Sequence, residues 1–310
     1  MLHLPRYLIT AAVSFALLGA CSHVLADCEC DCSAGYHCPA GCCVKCCYKS
    51  GCWCVAETEN FQACTTDSEN TARQLAEAAE KLRAELREKW LGESPEASES
   101  DSHWTPKCQI VLHPSQQSYV AAVGRGSDHT VGSSLVKVDH GQIGSRRIDL
   151  VGGRADFLSA ALPHELTHVV LKDRFVTSAI PRWADEGAAI LADNEAKQGR
   201  HRNDLNNALQ RHATFAAASL MTMEDYPGPD RMGAFYGQSV SLAEFLIDRR
   251  KPARFVEFVE LAGTSGYDAA LHQCYGIANV DELDHEWRAY IASGATAKSR
   301  VTATPLASAK

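Results

Sequence analysis

An α+β architecture is expected over residues 104–293, because strand-like runs come first, helical periodicity follows, and the change falls at Gly152-Gly153. Cysteine usage sets this stretch apart from what precedes it. Eleven of the fourteen cysteines lie between Cys28 and Cys64, and only Cys21, Cys108 and Cys274 lie elsewhere.

Three strands are expected at 107–112, 135–138 and 147–151, the last two joined by a turn containing Gly141 and Gly144. The strand at 147–151 is the one assigned to pair edge-on with an extended ligand. Helices follow at about 157–172, 182–194, 202–218, 237–249, 252–262 and 279–292. Pro163 lies within the first of these, where it either kinks the helix or marks its first turns.

Residues 1–26 have the form of an export signal. Arg6 supplies a positive charge, and residues 8–18 are apolar but too short for a comfortable membrane span. Two cleavage readings stand. Val24-Leu25-Ala26 gives a mature start at Asp27, whereas Leu18-Gly19-Ala20-Cys21 has the form of a lipobox and makes Cys21 a lipid anchor. Export to a secreted, periplasmic or envelope-anchored location follows from either.

Residues 27–66 are then a Cys-rich module, too small for an apolar core and therefore cross-linked or metal-bound. Export favours disulfides, while adjacent and alternating cysteines also suit a thiolate metal cluster. Residues 67–103 are a helical spacer and linker. Leu75, Ala79, Leu82 and Leu86 form a stripe on a polar helix over 69–91, and residues 92–102 are rich in Glu, Ser and Pro. This arrangement makes the domain from 104 onward fold independently of the head. Residues 294–310 form a disordered tail. Net charge is −8 over 310 residues, and −9 once residues 1–26 are removed, which argues against a nucleic-acid partner.

Chemistry is concentrated in His164-Glu165-Leu166-Thr167-His168. Two histidines four apart share one helix face, so both imidazoles reach one metal ion, and Glu165 beside them is placed to act as general base on a water. Downstream lies Trp183-Ala184-Asp185-Glu186-Gly187-Ala188-Ala189, whose Glu186 a second helix can return as a third ligand. Ala and Gly around Glu186 allow this helix to pack closely on the first. Asp185 either supports a ligand or caps the helix. A third histidine six positions after His168 would mark a different class, but Arg174 stands there. His113, His129, His140, His201, His212, His272 and His285 lack ligand spacing. Cys108 and Cys274 are either a bridge tying strand half to helical half, which export favours, or two buried thiols.

The segment from Trp183 to Ala189 resembles the W-x-x-E-G-x-A motif of gluzincins of the peptidase MA-like superfamily. Gly233-Ala234-Phe235-Tyr236-Gly237-Gln238-Ser239 is similar to the Tyr-containing helix that follows their third ligand. The resemblance covers roughly 107–291, with its specific motifs confined to about fifteen residues. The spacing from His168 to Glu186 is shorter than in thermolysin-like enzymes, and no G-x-M-E-N motif is present. The resemblance implies a zincin-like catalytic domain and one Zn²⁺ held by His164, His168 and Glu186. It also implies Glu165 as the base, Tyr236 as the donor to the oxyanion, and a peptide or protein substrate. A reading from another class is a non-catalytic envelope protein that uses the same domain as a metal-binding scaffold behind its Cys-rich head.

Overall fold

The computed structural model describes residues 46–48, 51–93, 103–153 and 157–293. The signal segment 1–26 with Cys21, most of the Cys-rich stretch, the linker residues 94–102 and the tail 294–310 lie outside the described residues.

A six-stranded sheet runs in the order β1-β2-β3-β4-β6-β5. Its strands are β1 (Cys46–Tyr48), β2 (Gly51–Glu57), β3 (Phe61–Thr65), β4 (Cys108–His113), β5 (Gly132–Asp139) and β6 (Gln142–Val151). β3 runs parallel to β4, β4 parallel to β6, and β5 antiparallel to β6. His140 and Gly141, both at positive φ, turn β5 into β6, the twist that suits a two-residue hairpin. The architecture is α+β, as expected, but the expected edge strand is not an edge. β6 is flanked by β4 and β5, so its backbone is already paired, and the edge strand on this side of the sheet is β5.

The N-terminal part also departs from expectation. The stretch read as a Cys-rich module followed by a spacer supplies strands to the same sheet: Phe61 pairs with Cys108 and Cys64 with Val111. Helix α1 (Glu69–Leu91) is capped by Ser68, whose side chain accepts from the Thr71 N–H. It buries Ala72, Leu75, Ala76, Ala79, Leu86 and Trp90, a wide stripe at helical spacing that packs on β2, β3 and the helix carrying His164. The line drawn at residue 104 therefore cuts through a sheet and not between packed bodies.

Polar groups knit this layer to the rest. The Asn60 amide N–H and side chain both donate to Glu80, and Asn60 Oδ1 accepts from the Trp104 N–H at 2.7 Å. The guanidiniums of Arg83 and Arg146 both lie over the Trp104 ring, at 4.6 and 4.7 Å. Asp173 accepts from Arg87, Arg146 and the Trp104 indole.

The helices are α2 (Gln116–Val123), α3 (Phe157–Ala160), α4 (Leu162–Arg174), α5 (Arg182–Ile190), α6 (Glu195–Gln210), α7 (Ala217–Met221), α8 (Met232–Arg249), α9 (Pro252–Ser265), α10 (Tyr267–Tyr275) and α11 (Val280–Ala292). Pro163 falls in the first turn of α4, where no amide donor is needed. The helix expected at 202–218 is two: α6 starts earlier, capped by Asn194, and ends where His212 adopts a positive φ. The sequence pattern does not predict α2 or α10.

Cys108 and Cys274 are buried free thiols, not a bridge. They sit in different neighbourhoods. Cys108 opens β4 in the field of Arg146 and Asp173, and Cys274 lies on α10 beside Arg254 and Glu257. Burial pushes both thiols up, away from the reactive thiolate. No helix among the described residues is long and apolar enough to cross a membrane.

Candidate metal centre

Helix α4 presents His164 and His168 one turn apart, and α5 returns Glu186 against them. One ligand atom from each lies within 4.8 Å of the others, and His164 Nε2 is 3.7 Å from Glu186 Oε2. A tetrahedral site with bonds of about 2.1 Å has edges of about 3.4 Å, so the His164–Glu186 pair is already close to that spacing and the three ligands draw together to hold an ion. α5 is fixed from behind by α8: a Cβ on Gly187 would stand 2.6 Å from the Ser239 carbonyl oxygen and 2.9 Å from Ala243 Cβ. The small residues beside Glu186 are expected to pack on α4, but the close approach at Gly187 is made with α8 instead.

Each imidazole has an outer carboxylate partner. His168 Nδ1 is 2.8 Å from Asp185 Oδ1. His164 Nδ1 is 3.2 Å from Asp193 Oδ2, and Lys197 holds the other oxygen of Asp193 at 2.9 Å. Such partners fix the ring and leave the far nitrogen for a metal. Of the two readings of Asp185, the structure shows support of a histidine. Burial opposes a charge on His168, but Asp185, Glu186 and Glu165 outweigh it and push the imidazole up to about 10. The field here favours a cation, and the N, N, O donor set fits a divalent metal.

Glu165 is buried beside the ligands and faces the edge strand. Ser134 Oγ donates to Glu165 Oε2 at 2.9 Å. A Cβ on Gly132 would fall 2.7 Å from Glu165 Oε1, so only glycine lets β5 approach this closely. Tyr119 holds that strand, donating to the Gly132 carbonyl at 2.7 Å.

Tyr236, in the first turns of α8, lies beside the site. Burial raises its phenol, and the charges of Glu186 and Glu165 raise it further, so it stays a protonated donor. Its ring contacts His201, Phe235 and Tyr226 at 5.6, 5.4 and 6.4 Å between centroids. His201 lacks ligand spacing and is not among the three clustered residues, yet it borders the site through Tyr236. Asp193, Ser134 and Tyr226 were not foreseen. Tyr226 donates to Glu186 Oε1 at 2.5 Å.

Residues 141–293 match the family model of the peptidase MA superfamily. The match supports that superfamily for the part of the chain that carries α4, α5 and α8. It begins in the turn before β6, so β1 to β4, α1 and β5 fall outside it. A search of curated proteins returns no match to the chain.

Proposed function

We propose that the chain is an exported zinc-dependent peptidase of the gluzincin type. One observation carries the reading: two imidazoles and a carboxylate converge from α4 and α5, and Glu165 stands beside them, held by Ser134 of an open strand edge. His164, His168 and Glu186 hold one Zn²⁺. When bound, the ion supplies Lewis acidity toward the scissile carbonyl and lowers the pKa of a coordinated water. Glu165 takes the proton of the attacking water and returns it to the leaving amine. Tyr236 donates a hydrogen bond to the oxygen on which charge develops. The substrate is an extended peptide that adds to the free edge of β5. This strand takes over the role first given to residues 147–151, because β5 both has the free edge and touches Glu165.

The test is metal content and turnover in parallel. Glu165→Gln should retain one zinc and lose turnover of a denatured protein substrate by roughly 10²–10⁴-fold, the scale of general acid–base catalysis. Glu186→Ala should lose metal. Wild-type protein that binds one zinc but cleaves nothing in a chelator-controlled peptide library would favour the non-catalytic scaffold.

A further inference from the structure

We infer that Tyr226 is the positioning residue of the third ligand: its hydroxyl holds Glu186 Oε1 and so reserves Oε2 for the metal. The inference rests on the metal-binding reading above and adds a residue to it.

The two histidines are each oriented by a carboxylate, Asp193 and Asp185. The third ligand is an anion, so its outer partner must be a donor. A carboxylate with both oxygens unclaimed can rotate or bind through both. Here Tyr226 Oη occupies Oε1 at 2.5 Å, while Oε2 is the oxygen 3.7 Å from His164 Nε2. The two oxygens of Glu186 therefore have separate duties.

Core packing does not account for this tyrosine. It is 43% exposed and lies in the stretch between α7 and α8, with exposed neighbours Glu224 and Asp225. What holds it is specific. The Arg182 guanidinium covers its ring at 4.5 Å and also donates to the Glu224 carbonyl, and Phe235 meets the ring edge-on at 5.6 Å. Arg182 and Glu186 are one turn apart on α5, so the segment is clasped to the same helix face that bears the ligand. Phenylalanine would keep the ring contacts and remove only the hydroxyl.

The experiment compares wild type, Tyr226→Phe and Tyr236→Phe by zinc competition against a chromogenic chelator, and by visible absorption of the Co²⁺-substituted proteins. Tyr226→Phe should bind zinc about 10–100-fold more weakly, the usual cost of losing an outer partner. Its cobalt bands should lose intensity as Glu186 swings to bind through both oxygens and the coordination number rises. Tyr236→Phe should match wild type in both readouts. A Tyr226→Phe protein with wild-type zinc affinity and an unchanged cobalt spectrum overturns the inference and leaves the metal centre standing. Wild-type protein that takes up neither ion overturns both.

Discussion

The helices around the metal centre and the N-terminal layer of β2, β3 and α1 meet along α4, but their polar groups do different work. Around His164, His168 and Glu186 each ligand has its own partner, and the groups converge on one point. In the N-terminal layer the burial is aromatic and aliphatic, with Phe61, Leu75, Leu86 and Trp90 at the centre. Asn60 is tied to Glu80, and Arg87 of α1 meets Arg146 and Trp104 at Asp173, at the far end of α4, which accepts from all three. One end of α4 is thus organised for chemistry and the other for cohesion. A single helix of 13 residues transmits the position of one to the other.

The sharpest way to break this comparison is to remove the layer. A chain truncated to start at Ser102 should fail to fold, contrary to the independence expected from composition. β4 would lose its β3 partner, and α4 and the sheet would expose the face that α1 covers. Each large side chain lost is worth about 1.5–3 kcal/mol of burial, and a few of them exceed a typical net stability of about 5–15 kcal/mol. Circular dichroism and solubility of the truncated chain check this. A soluble, zinc-binding product would restore the boundary at 104.

Asp173→Ala tests cohesion without deletion. The buried Arg146 guanidinium loses its anion, a loss that typically costs about 3–5 kcal/mol, whereas Arg87 keeps its pair with Glu93. Denaturant unfolding should register that loss, while the folded fraction keeps its metal and turnover. Loss of metal at unchanged stability would mean that α4 does not separate the two roles.

Tyr236→Phe is the smallest of these perturbations. Turnover should fall roughly 10²-fold, the scale of one oxyanion donor, with the unfolding midpoint and zinc content unchanged. An unchanged turnover number would return Tyr236 to a packing role against Phe235 and His201.

The same contrast explains what the sequence made legible. His164, Glu165 and His168 are related by the helix repeat, a local rule that needs no tertiary information. Glu186 came with a recognisable neighbourhood, and Asp185 is adjacent to it. Asp193, Ser134 and Tyr226 reach the site through a helix end, an edge strand and a loop, so no spacing rule marks them. The strands of the N-terminal layer were hidden for a related reason. β3 is only five residues long, and its partner β4 lies beyond a 23-residue helix. Cysteine density suggested a separate cross-linked unit, whereas Cys64 faces Val111 within the sheet. The break at His212 had no glycine or proline to announce it.

The parallel pairing of β3 with β4, and of β4 with β6, has a kinetic consequence. The β5–β6 hairpin closes on two residues and can form early. Phe61 must instead find Cys108, and Cys108 must find Arg146, each across a long stretch of chain whose closure entropy is spent before the contacts reward it. Refolding should therefore be limited by recruitment of the first strands of the chain to a sheet whose later strands are already paired. Until they arrive, the β3-facing edge of β4 stays open to other chains.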